Sequence, residues 1–236
     1  MLFKKWGQKR ALQCLEFLYL FMIFSGVWQS DLQGKPETNV EVSANQEAIE
    51  KPKIAITFDD GPNEYCTEEL LDGLKERNVK ATFFLIGQNI EKENNRELVK
   101  RIYEEGHLLG NHTYHHVEIT RISDEEAYQE LKMTNDLVHE ILGIEMEYMR
   151  PPFGSWQKEL EERMNVLPVL WTIDPLDWTT ENVDEIVNKV VTKAGENDII
   201  LMHDCYKSSV EAALRIIDLL QAKGYEFVTV EELIMT

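Results

Sequence analysis

Residues 53–62 read KIAITFDDGP. The first six carry β-branched and apolar side chains in the manner of a strand. The last four are two carboxylates, a glycine and a proline, which turn the chain where the strand ends. Outward from this stretch the pattern alternates. Residues 67–77 have helical spacing, and 81–86 (ATFFLI) form a buried-type strand. A helix over 97–105 stops at Gly106, and a strand or turn begins at 107–110. Ser123-Asp124-Glu125-Glu126 is a capping box that opens a helix to about Leu142, with Gly143 behind it. Strands follow at 147–149, 169–172, 199–202 and 227–230, with helices at 157–164, 183–193 and 210–222 between them. Strand-helix alternation of this kind predicts an α/β fold with a parallel sheet. Seven or so units predict a distorted (β/α) barrel more than an open sheet.

The chain has 236 residues and a formal charge of −19. Residues 1–30 hold Lys4, Lys5, Lys9 and Arg10 against Glu16 alone, leaving 20 basic and 42 acidic residues in the remainder. A surface this acidic repels nucleic acid and anionic lipid, whereas a neutral glycan is tolerated. Residues 11–28, ALQCLEFLYLFMIFSGVW, follow a basic head. That is the pattern of an export signal, so residues 1–30 are read as a signal peptide or signal anchor. Glu16 and a short apolar core weaken the segment as a membrane span, and cleavage and anchoring both stay open. Residues 31–51 read as a polar linker, and 52–236 as one domain. Of the three cysteines, Cys66 and Cys205 follow strand ends and are expected to be free thiols.

Polar residues gather where the strands end. Asp59-Asp60-Gly61-Pro62 follows the first, 112–116 (HTYHH) the third, 150–154 (RPPFG) the fourth, Asp174–Trp178 the fifth and His203-Asp204 the sixth. In a barrel these ends share one rim, where active sites form. His112 and His116 are four apart and, on a helical turn, would face one metal ion. His115 is a competing ligand. Two histidines, one carboxylate and an open position make a catalytic zinc arrangement. Arg150 sits before a stiff Pro-Pro-Phe-Gly turn, in which the Phe153 N–H can donate to an oxyanion. Asp59 and Asp60 read equally as an ordinary turn, Trp178 as core, His203 as a satisfied core histidine, and Arg150 as a surface ion pair.

TFDDGP (57–62), HTYHH (112–116), RPPFG (150–154), DPLDW (174–178) and LMH (201–203) occur in that order. Together they closely resemble the polysaccharide deacetylases of carbohydrate esterase family 4, the NodB-homology domain, over about residues 50–236. The resemblance implies a distorted barrel and a divalent metal, usually zinc, with cobalt or nickel as substitutes. It makes Asp60, His112 and His116 the ligands and Asp59 the general base. The Phe153 N–H becomes an oxyanion donor and His203 the acid. Asp177 and Arg150 orient acid and base, while Trp178 and Leu201 line the groove. Phe153 stands where many relatives carry Tyr, and His115 where they carry a small polar residue.

The expected activity is N-deacetylation of N-acetylglucosamine units in an extracellular polysaccharide, peptidoglycan first. Chitooligosaccharides and O-acetylated xylan are alternatives. From another class, a non-catalytic glycan-binding scaffold is the competing reading. The expected partners are an N-acetylated polysaccharide and, through the N-terminal segment, a membrane. The expected location is outside the cytoplasm, anchored or released to the wall.

Overall fold

A computed structural model describes residues 51–92 and 94–235. The predicted export segment and nearly all of the predicted linker lie outside these residues. No helix among the described residues is long and apolar enough to cross a membrane.

Strand β1 (Lys53–Asp59) is buried from Ile54 onward. It is followed by helix α1 (Thr67–Glu76), β2 (Thr82–Leu85), a single turn α2 (Gly87–Ile90), α3 (Asn95–Glu104) and β3 (Leu108–Asn111). Then come α4 (Asp124–Leu142), β4 (Tyr148–Met149), α5 (Glu159–Met164) and β5 (Leu167–Pro168). The last elements are α6 (Val183–Val191), β6 (Ile199–His203), α7 (Lys207–Ala222), β7 (Glu226–Phe227) and α8 (Val230–Met235).

The strands pair in the order β5-β4-β3-β2-β1-β6, all parallel, and β7 also pairs with β1. The two ends of this order meet through the segment after β5. Leu167 N–H and Val169 N–H donate to Glu147 and Met149 on the β4 side. Thr172 and Ile173 N–H donate to Ile199 on β6, and Leu201 N–H donates back to Ile173. The segment thus crosses from β4 to β6 and closes the sheet into a distorted barrel. Crossover helices cover it, as parallel strands require.

The predicted strand at 169–172 is corrected by this closure. Val169 begins a break, with ladder pairing before it at Leu167–Pro168 and after it at Ile173. The carbonyls of Val169 and Leu170 inside the break accept instead from the Arg150 guanidinium, at 3.1 and 3.3 Å. The last predicted strand is corrected too. Only Glu226–Phe227 pair, because Val230 already opens α8 and donates its N–H to Thr82 Oγ1 at 3.1 Å.

The main core lies between β1, β2 and β6 and the helices α1, α3, α6 and α7, with Phe58, Phe83, Leu70, Ile102, Ile186 and Ile216 fully buried. Each such side chain contributes about 1.5–3 kcal/mol. Helix α4 begins as predicted, with a reciprocal capping box between Ser123 and Glu126, and ends on Gly143 at φ 70°. Gly110 answers a packing need. A Cβ there would sit 2.4 Å from the Phe84 ring, which itself lies 4.2 Å beneath the Arg150 guanidinium. The strand that carries the histidine motif therefore leaves room for the ring that supports the arginine.

Candidate active site

The C-terminal ends of β1, β3, β4 and β6 deliver the site. Asp59 pairs in register with His203 on one side and Phe84 on the other. Its side chain is buried, and its Oδ1 accepts from Arg150 Nη1 at 2.8 Å. Arg150 is 0% exposed. It also donates to Thr57 Oγ1 at 2.6 Å and to the two carbonyls in the barrel seam. Its face meets Phe84 and Trp171. Burial pulls the guanidinium pKa down against the pull of Asp59, yet it keeps its charge at neutral pH. The surface ion pair that a lone arginine suggests does not exist here.

Asp60 leaves the strand with φ 71°, a left-handed conformation that turns its side chain to the same site as Asp59. Asn89 Nδ2 donates to the Asp60 carbonyl at 2.7 Å. Asn95, almost wholly buried, donates to the Pro62 carbonyl at 3.1 Å. The Asp204 carboxylate presses on Gly61, where a Cβ would come within 2.5 Å of it, and accepts from Thr67 Oγ1 at 2.6 Å. Thr67 Oγ1 in turn accepts from Asn63 N–H at 2.8 Å. Burial raises the Asp204 pKa to about 7. Of these supports only Asp204 carried a sequence signal, as part of the polar pair after the sixth strand, whereas Thr67, Asn89 and Asn95 are single polar residues in ordinary helices.

Asp60, His112 and His116 converge, with their ligand atoms all within 4.8 Å of one another. The Nε2 atoms of His112 and His116 each lie 3.4 Å from Asp60 Oδ1. About 3.3 Å is the edge of a tetrahedron whose ligand bonds are about 2.0–2.1 Å. The proton bookkeeping agrees. His112 Nδ1 is 2.7 Å from the Arg150 carbonyl, which can only accept, so this nitrogen carries the proton and Nε2 is bare. Asp60 Oδ1 is buried and has no hydrogen-bond partner among the described residues. Lone pairs therefore face one another with no proton between them, an arrangement that a cation stabilises. Burial opposes the charged form of Asp60, but the neighbouring His112, with His203 and His116, holds its pKa below the ordinary value. Burial, with help from His112, lowers that of His116, which keeps the ring neutral as a ligand must be.

The route to this convergence differs from the expected helical turn. Residues 112–116 form an irregular turn in which Thr113 and His116 have φ 63° and 57°. His115 points elsewhere, to Glu130, with Nδ1 2.7 Å from Oε1. His116, and not His115, shares the cluster with Asp60 and His112.

On the far side, His203 Nδ1 lies 2.8 Å from Asp177 Oδ1. Burial disfavours the imidazolium, but the Asp177 hydrogen bond and the charges of Asp177, Asp59 and Asp60 outweigh it and raise the pKa to about 9. His203 is thus a protonated acid at neutral pH. Phe153 sits at φ 61° in a short 3-10 turn, 67% exposed, with its ring 5.0 Å from that of His116. The N–H groups of Gly154 and Ser155 donate to backbone carbonyls of that turn, and that of Phe153 does not among the described residues. Trp178 is 55% exposed and available as a wall. Leu201 is only 5% exposed, so it can form a floor but little wall. Cys66 and Cys205 are both free.

This geometry meets independent comparisons. A polysaccharide deacetylase family model matches residues 46–169, just over half of the chain. The chain belongs to the polysaccharide deacetylase family. Among curated deacetylases, it is 38% identical over 201 residues to the peptidoglycan-N-acetylmuramic acid deacetylase PdaC of Bacillus subtilis, covering 84% of this chain and 43% of that protein. It is 38% identical over 193 residues to a peptidoglycan-N-acetylglucosamine deacetylase of Bacillus cereus, covering 77% of this chain and 87% of that one. The solved structure of B. subtilis PdaC superposes with a TM-score of 0.74 at 39% identity, covering 78% of this chain and 90% of that chain. The chain spans less than half the length of the first curated relatives it matches, PdaC among them.

Proposed function

We propose that this chain hydrolyses the acetamide of N-acetylated sugars in an extracytoplasmic polysaccharide, with N-acetylglucosamine units of peptidoglycan as the first substrate. The observation that carries the reading is the arrangement around Asp60, His112 and His116. A buried base paired with arginine lies on one side, and a protonated histidine paired with aspartate lies on the other. The named activities of the B. subtilis and B. cereus relatives support the same reaction on wall sugars.

Asp60, His112 and His116 would hold a divalent metal, zinc first, with cobalt or nickel as substitutes. When bound, such an ion makes water nucleophilic near neutral pH and polarises an acyl carbonyl. The chain's own residues do the rest. Asp59, held by Arg150, takes the proton of the attacking water. The Phe153 N–H, free of its own turn, donates to the developing oxyanion. His203, kept protonated by Asp177, gives its proton to the departing amine nitrogen. An amide needs such a donor, because an amine anion is a very poor leaving group. Trp178 stacks a sugar ring and Leu201 underlies the acetyl group.

Residues 52–236 form the catalytic domain in this reading. Residues 1–30 serve as signal or anchor, and 31–51 as the linker that spaces the domain from the membrane. Acetate release from peptidoglycan, chitooligosaccharides and acetylxylan, measured on the zinc- or cobalt-loaded chain, tests the activity and ranks the substrates. Glycan binding with no acetate release from any of the three would replace the reading with a non-catalytic scaffold.

A further inference from the structure

We infer that Glu130 on α4 is a positioning residue for the metal ligand His116, acting through the backbone of the turn that carries it. The inference rests on the metal-site reading above.

The two histidine ligands are held in different ways. His112 is anchored by its own ring, through Nδ1 to the Arg150 carbonyl. His116 makes no hydrogen bond through its ring among the described residues, so its ring lies where the turn puts it. That turn is costly. Thr113 and His116 are both left-handed without being glycine, a strained backbone at each. Such a conformation persists only where its surroundings over-determine it.

Hydrogen bonds from three sides supply those surroundings. Thr113 N–H donates to Asn111 Oδ1 at 2.7 Å, and the carbonyls of Thr113 and Tyr114 accept from Gly87 and Gln88 N–H. The two N–H groups just before His116 go to one oxygen of Glu130. Tyr114 N–H reaches Oε2 at 3.0 Å, and His115 N–H reaches it at 2.8 Å. The other oxygen, Oε1, meets His115 Nδ1 at 2.7 Å. The Glu130 side chain is 13% exposed, so water competes poorly for these bonds. Its helix is fixed by the adjoining residues, since Asn111 Nδ2 donates to the Leu131 carbonyl and to Asn135 Oδ1. Glu130 therefore ties the ligand turn to the rigid helix behind it. This also explains why a histidine at 115 need not compete for the metal.

The test is the dissociation constant for Zn²⁺ or Co²⁺, by competition with a chromophoric chelator, on the full chain. Glu130→Ala is expected to weaken binding about 10- to 100-fold, the range for losing a group that orients a ligand. Glu130→Gln keeps one oxygen for both N–H donors and is expected to stay within about threefold of wild type. His115→Ala, which leaves both backbone bonds in place, should do the same. Native-state hydrogen exchange on the unmutated chain adds a readout independent of any variant. The Tyr114 and His115 amides should be protected although they lie in a loop. Wild-type affinity in Glu130→Ala, equal losses in all three variants, or rapid exchange at both amides would each overturn the inference. A wild-type chain with no metal affinity at all would overturn the metal-site reading, and the inference with it.

Discussion

His203 and Asp177 are joined twice. Oδ1 of the carboxylate lies 2.8 Å from the ring Nδ1, and Oδ2 accepts the His203 backbone N–H at 2.9 Å. One carboxylate thus sets both the charge of the imidazole and the place where its strand delivers it. The pKa near 9 follows from this pairing and from the acids around it. Activity should therefore fall on the alkaline side as pH rises through about 9, where the acid is lost. Asp177→Asn should move that limb of the kcat/KM profile down by about 1–3 units. The stability contributed by the pair is fully present below the ordinary histidine value of 6.5 and is lost as pH rises through about 9. An alkaline limb that does not move in Asp177→Asn would show that His203 is not the acid.

Asp59 and Asp60 are adjacent but should fail differently. Asp59→Asn keeps an acceptor for Arg150 and leaves the ligand atoms alone, so metal affinity should hold while kcat falls about 10²–10⁴-fold. Asp60→Ala should lose tight metal binding and activity together. Calorimetric titration with zinc, run beside acetate release, separates the two. Full activity in Asp59→Asn would remove it as base.

Arg150→Met should destabilise the fold by about 3–5 kcal/mol, because it strands a buried carboxylate and frees two seam carbonyls. Adding Asp59→Asn to that variant should recover part of the loss. Chemical denaturation of the four proteins in the cycle gives the coupling directly. Additive losses would mean that the pair is not energetically linked.

Burial lowers the His107 pKa from 6.5 to about 4, and its Nδ1 accepts from Ala81 N–H at 3.1 Å. Folding therefore favours the neutral ring. Its contribution to stability is fully present above pH 6.5 and is lost as pH falls toward and through about 4. Thermal unfolding followed across that window should show a declining midpoint in wild type and a shallower decline in His107→Gln. Equal slopes would assign the acid sensitivity to other groups.

The alternation of strands and helices was legible because burial writes its own period into the chain, and the α4 capping box and Gly143 were legible because caps are local. The pairing of His112 with His116 was legible as spacing, although the geometry behind it was not. Four residues on a helix and four residues in a doubly left-handed turn give the same sequence interval, and only the backbone tells them apart. Taken alone, Arg150 read equally as a surface pair, because its partners, Thr57, Asp59, Val169 and Leu170, are distant in sequence. Glu130 had no signal at all. It is one acid among several on a charged helix, and its task appears only when the turn packs against it.

The arginine at the barrel seam is where architecture and chemistry share a part. Its side chain satisfies two carbonyls that a neighbouring strand would otherwise bond, and its own carbonyl fixes a histidine. A descendant of this domain that shed its base would leave that guanidinium buried without its carboxylate, yet the two seam carbonyls would still need a donor. Arg150 is thus a poor marker of activity by itself, because its bonds at the seam serve the closure of the barrel.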